Sequence, residues 1–144
     1  DFALHRRMMS TERLASRRIV AFSFVSSPAD LVYQVRLWRQ FCVEHVELVA
    51  VHNEDPADAD YGREAARLRE LCQVLGIGFV LVPLACDRAY TPPGHSEAHW
   101  VSSSLCHGIA MDWVWRRIVL EEHRGDVVLM LHGDLFPYRS FSVR

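Results

Sequence analysis

Apolar and polar positions follow two periods along this chain, with short continuous apolar runs separated by stretches at helical spacing. The run Ile19-Val20-Ala21-Phe22-Ser23-Phe24-Val25, bounded by Arg17-Arg18 and Ser26-Ser27-Pro28, predicts a buried strand. A helix is predicted from Asp30, where Leu31, Val35, Trp38 and Cys42 recur on one face. Residues 46–51 predict a second strand, ending in the polar turn His52-Asn53-Glu54-Asp55-Pro56. The next helix gathers Tyr61, Ala65, Leu68, Cys72 and Leu75 on one side and charged residues on the other, with Gly76 to cap its end. Residues 78–84 predict a third strand, and 85–101 a long loop containing Pro92-Pro93-Gly94. A helix is predicted over 103–123; Trp113, Trp115 and Leu120 make it apolar nearly all round, which predicts heavy burial. Gly125 ends that helix. The fourth run, Val127-Val128-Leu129-Met130-Leu131, then predicts a buried strand that delivers His132-Gly133-Asp134 at its tip, before Leu135-Phe136-Pro137 turns the chain away.

Near-continuous apolar strands separated by helices argue for a parallel sheet covered on both faces. With right-handed crossovers, the expected fold class is α/β, a Rossmann-like three-layer unit with a mostly parallel sheet. Residues 1–17 form a lead-in segment with five arginines against two acids in the first 18 positions, predicted to be an amphipathic helix rather than the remnant of a targeting peptide. Residues 18–144 form the domain itself.

Composition narrows the picture. A length of 144 residues suits one domain, and 50% hydrophobic with 24% charged residues excludes a disordered chain. A net charge of −2 supplies no pull toward nucleic acid or anionic lipid. No apolar stretch reaches the roughly 20 residues of a membrane helix, so neither nucleic acid nor membrane is expected as a partner, and the cytoplasm is the default compartment. Cys42, Cys72, Cys86 and Cys106 show no paired metal-binding spacing and are expected to be reduced, mostly buried thiols.

The chemistry is sought at strand ends. Ser26-Ser27-Pro28-Ala29-Asp30 contains none of the glycines of a dinucleotide fingerprint, and no phosphate-cradling G-x-x-x-x-G-K-[ST] loop occurs anywhere. Nicotinamide hydride transfer and P-loop phosphoryl transfer are therefore disfavoured. What remains is a carboxylate, Asp134, at the tip of the fourth strand, a place suited to holding a divalent cation and through it a phosphate. His95-Ser96-Glu97-Ala98-His99 lacks the H-E-x-x-H order of a zinc protease, and its approach through Pro-Pro-Gly predicts loop. Cys106 and His107, as helix neighbours, point about 100° apart and make no thiol–imidazole pair. Ser102-Ser103-Ser104 supplies N-cap candidates rather than a nucleophile.

His107-Gly108-Ile109-Ala110-Met111-Asp112-Trp113 and Leu131-His132-Gly133-Asp134-Leu135-Phe136-Pro137 resemble two motifs of GT-A-fold, nucleotide-sugar-dependent glycosyltransferases. In one branch of that family the helix reads like His-x-x-Ala-Leu-Asn-Trp and the strand end like Leu-Asp-x-Asp-Leu-Phe-Pro. The resemblance runs from about Ile19 to Phe141 and implies the donor-binding half of that fold. It implies a nucleoside-diphosphate sugar as donor, an acceptor of unstated chemistry, and Mn²⁺ or Mg²⁺ bridging the diphosphate to Asp134 and His132. Asn53 and Glu54, after the second strand, fall where such folds contact base or ribose, and His107 and Asp112 on the long helix are further donor-contact candidates. Two positions depart from the pattern: His132 stands for the first aspartate and Asp112 for the asparagine. Imidazole suits Mn²⁺ or Zn²⁺ better than Mg²⁺ and removes one negative charge.

The expected function is thus glycosyl transfer with departure of a nucleoside diphosphate. The acceptor half and the catalytic base are expected beyond Arg144, so this portion is expected to bind nucleotide rather than turn over. Two alternatives stand beside it. One is a metal-dependent phosphoesterase, since strand-His-Gly-Asp resembles a fragment of such sites; the other is a non-catalytic Rossmann-like interaction module.

Overall fold

A computed structural model describes residues 17–25, 27–54, 59–83 and 103–143, with side chains from His107 onward in the last stretch. The sequence calls for a strand first and obtains it as β1 (Ile19–Phe24), every residue of which is buried. Ser27 then caps α1 (Pro28–Phe41): its hydroxyl oxygen accepts the Asp30 N–H at 3.1 Å, and Pro28 occupies the first turn. The helix therefore begins two residues before the predicted Asp30, because a serine followed by proline is itself a start signal. β2 (Val46–Glu54), α2 (Arg63–Leu75) and β3 (Gly78–Pro83) follow. α2 closes on Gly76 in the left-handed conformation, φ 64°, as the sequence predicts. α3 (Ser103–Val114) runs on through a π-helical turn (Trp115–Val119) into the short α4 (Leu120–Glu122), and β4 (Val127–His132) ends the unit.

All four strands are parallel, in the order β3-β2-β1-β4. The chain steps outward from β1 to β2 to β3 and then returns across the sheet to place β4 on the free side of β1. Leu31, Val35 and Trp38 of α1, with Leu68 and Cys72 of α2, pack against Ala21, Leu48, Ala50 and Leu131 on one face. Ala110, Val114 and Val119 pack against Val20, Phe22, Phe24, Val49, Val51 and Val82 on the other. The expected three-layer α/β unit is thus present, with its core divided between the two faces of the sheet.

Several local expectations are corrected. His52, Asn53 and Glu54 are strand residues, paired with Leu81, Val82 and Pro83, rather than a turn. Tyr61 precedes α2 and is exposed. The long helix is not buried all round: Trp115 and Leu120 are 46% and 41% exposed. The extra residue of the π turn explains part of this, because it brings Val119 into the core in line with Val114 and leaves Ile118 only partly covered. β4 pairs on one side only among the described strands, so four of its six residues are half-buried rather than buried. Cys42 and Cys72 are free thiols, half-buried and buried. The lead-in segment up to residue 16, the 85–101 loop, Cys86 and the side chain of Cys106 lie outside the described residues. No helix among the described residues is long and apolar enough to cross a membrane.

At the starting rim of the sheet, Arg18 grips Asp126 through Nε and Nη2 at 3.1 and 2.9 Å, and His123 Nδ1 lies 2.8 Å from the same carboxylate. Past β4, the chain runs back beside α1. Phe141 donates its N–H to the Phe41 carbonyl at 3.0 Å and sets its ring edge-on to Trp38 at 5.1 Å.

Candidate functional site

The return of the chain from β3 to β4 makes a topological switch point between β1 and β4, where the connections leave in opposite directions. In open α/β sheets a ligand crevice forms outside the strand ends at that point. Phe24 and His132 are register partners there, the last residues of their strands. His132 opens a tight turn in which the Leu135 N–H returns to its carbonyl at 3.1 Å.

A buried amide fixes this turn. Gln34 of α1, 1% exposed, donates Nε2 to the carbonyls of His132 and Leu135 at 3.0 and 3.2 Å, and its Oε1 accepts the hydroxyl of Ser23. Ser23 is itself buried in β1. Neither residue stands out as functional in the sequence, yet both leave a trace. Gln34 falls on the stripe formed by Leu31, Val35 and Trp38, and Ser23 interrupts an otherwise apolar strand. Polar groups at buried positions need partners, and these two supply each other and the turn.

Three of the predicted residues come together here. His132 Nδ1 and Asp134 Oδ1 are hydrogen-bonded across the turn, and both side chains are largely open to solvent. The His107 ring, on α3, lies 4.9 Å from that of His132 and edge-on to Phe24 at 4.7 Å. Burial and then the neighbouring His132 push the His107 imidazole below its ordinary pKa, while Asp134 pulls the other way.

The remaining candidates are placed differently. Asp112 is exposed and paired with Arg116 at 2.9 Å, one turn along the helix. It lies five residues from His107, about 140° around an α-helix, so the two do not share a face. Asn53 falls on the same face of β2 as Val49 and Val51, the face that carries Phe24 and α3. Glu54 has a structural task. Its carboxylate accepts the Gly62 N–H and, at 2.8 Å, the Ala65 N–H, and His52 Nε2 lies 3.0 Å away. Gly62 has no side chain with which to cap α2, so Glu54 satisfies the first turn from the neighbouring strand. Burial pushes this carboxyl up, but the two N–H groups and His52 outweigh it and hold it below its ordinary value.

The expected divalent cation can be tested against these donors. A Mn²⁺ or Mg²⁺ site needs oxygens whose lone pairs converge on the ion. Oδ1 of Asp134 is instead turned to His132 Nδ1, a contact that occupies one atom of each residue and leaves Oδ2 and Nε2. Among the described residues, no three His, Cys, Asp or Glu side chains gather to hold a metal ion. As they stand, Asp134 and His132 face each other rather than converging on an ion, and the described side chains alone make no complete divalent-metal site. A cavity of about 440 Å³ opens at the opposite rim, between the end of α1 and the starts of β2 and β3, lined by Arg39, Cys42, Glu44, His45, Gly76 and Gly78 among others.

Comparison of the chain with protein-family models, with curated proteins and with solved structures finds no match in any of the three.

Proposed function

We propose that this chain is the donor-binding half of a nucleotide-sugar-dependent glycosyltransferase, and that it takes the diphosphate of its donor at the β1/β4 switch point. The observation that carries the reading is the convergence of His107, His132 and Asp134 on the one rim position where a parallel sheet of this order opens a crevice. The motif likeness around His107 and around residues 131–137 is what directs the reading to sugar nucleotides rather than to phosphates in general.

Each residue has a definable part. His132 and Asp134 present a hydrogen-bonding edge to the phosphates. His107, its pKa lowered, offers a neutral imidazole beside them, and Asn53 lies on the same sheet face, where the resemblance puts contacts to base or ribose. Gln34 and Ser23 touch no ligand; they keep the turn from shifting. The backbone of the turn is thus in place before a ligand arrives, which lowers the cost of binding.

Isothermal titration with nucleoside diphosphates, compared with the matching nucleosides, tests the reading. Binding that depends on the phosphates and weakens in Asp134→Ala supports it. Steady phosphate release from a generic monoester would favour the phosphoesterase alternative, and failure of every nucleotide to bind would favour the interaction module.

A further inference from the structure

The bond between His132 and Asp134 changes what sort of phosphate site this is. A carboxylate that serves a cation must turn its oxygens toward the ion, whereas Asp134 gives one of its own to the Nδ1 side of the adjacent ring. The turn that carries both residues is pinned by Gln34 and by the Leu135 N–H, so its backbone sets the two side chains close to each other. With Nδ1 committed, Nε2 is the nitrogen of His132 left to meet a ligand. A carboxylate that orients an imidazole through one nitrogen while the other does the work is an established arrangement for stabilising positive charge on the ring.

Among the described residues, two other sources of positive charge at this rim are already answered. The N-terminus of α1 points toward the switch point, but Asp30 lies in its first turn and accepts the Ser27 hydroxyl at 2.7 Å, so that end already carries its own anion. His107 is disfavoured as a second cation by burial and by His132.

We infer that the diphosphate is held here without a divalent cation, His132 Nε2 donating to a phosphate oxygen and Asp134 acting as the ring's counter-carboxylate rather than as a metal ligand. The inference rests on the nucleotide-binding reading above and names how that site meets the charge. With Nδ1 turned toward Asp134, His132 meets the phosphate through Nε2. Histidine in place of the first acid of an acidic pair thus offers the phosphate a hydrogen-bonding ring edge where a carboxylate would need a cation.

Calorimetric titration of a panel of nucleoside diphosphates (uridine, guanosine, adenosine and cytidine), in chelator and in millimolar Mn²⁺, tests this directly. The wild type should bind one of them about equally well in both conditions. His132→Ala should weaken that binding by about tenfold, the loss expected for one charge-assisted hydrogen bond. His132→Asp, which restores two carboxylates flanking the turn, should bind only when Mn²⁺ is present. Because the His132 side chain is 56% exposed, both variants should keep the fold, which circular dichroism verifies. Wild-type binding that disappears in chelator overturns the inference and leaves the nucleotide site standing, and undiminished binding by His132→Ala in chelator also overturns it. If the wild type binds none of the panel in either condition, the nucleotide reading falls and takes the inference with it.

Discussion

The side-chain nitrogen of Gln34 lies 3.0 Å from the carbonyl oxygen of His132, so one buried amide on α1 positions the residue that ends β4. The two positions are 98 residues apart in the chain. That contact joins the helix after β1 to the strand beside β1, closing the switch point from behind.

Replacing Gln34 by alanine should therefore do two things at once. It strands the Ser23 hydroxyl without its partner in a buried site and frees the turn from α1. Urea unfolding should show a loss of about 2 kcal/mol, within the cost of leaving a buried polar group unpaired. Nucleotide binding by the folded fraction should weaken as well. Removing both polar partners together, as Ser23→Ala with Gln34→Leu, should recover most of the stability but not the binding.

Much of the fold is legible in the chain because its strands are apolar almost without interruption and its first two helices carry apolar stripes. Gly76 at the end of α2 and the Ser27-Pro28 start of α1 are local signals with local causes. The strand tip bearing His132 and Asp134 is legible for the same reason, since an apolar run ending in polar residues marks its own C-terminal end. What stays hidden depends on contacts between distant segments. The extension of β2 through His52-Asn53-Glu54 is imposed by pairing with Leu81-Val82-Pro83, against the polar character of those residues. The capping role of Glu54 is set by the position of Gly62 across a connection. The meeting of His107 with His132 depends on α3 crossing back over the sheet.

Asp112 separates the sequence reading from the structural one. It pairs with Arg116 on the solvent side of α3, 59% exposed, about 140° around the helix from His107. Asp112→Ala should change stability by less than about 0.5 kcal/mol, as exposed helical ion pairs do. Its nucleotide affinity should equal that of the wild type in the same titration.

Glu54 makes stability sensitive to acid. Its folded pKa lies below its ordinary value, so its contribution is complete above the unfolded value of about 4.3 and is lost as pH falls through the folded one. Glu54→Gln should be less stable by about 1 kcal/mol at neutral pH, the usual worth of a helix cap. Below about pH 4 the difference should shrink, because the wild-type carboxylate is then being protonated too. Urea midpoints of the two proteins measured from pH 7 to pH 3 check both the sign and the window.

Phe141 anchors the segment that follows the site. Its ring stands perpendicular to Trp38 at 5.1 Å, and its backbone bonds to Phe41 and Val43. Phe141→Ala should cost about 2 kcal/mol, less than a fully buried phenylalanine because this one is half-covered. Trypsin should then cut after Arg139 faster than in the wild type, which timed digestion at a fixed protease ratio would measure.

The most direct test of the nucleotide site is where a nucleoside diphosphate perturbs backbone amide resonances in an ¹⁵N-labelled sample. Shifts should cluster at the β1/β4 rim, at Phe24, Val25, His107 and the 132–135 turn, with Asn53 at the edge of the affected set. Shifts confined to the opposite rim, around Glu44, His45 and Gly76-Ile77-Gly78, would place the ligand in the cavity there and contradict the account.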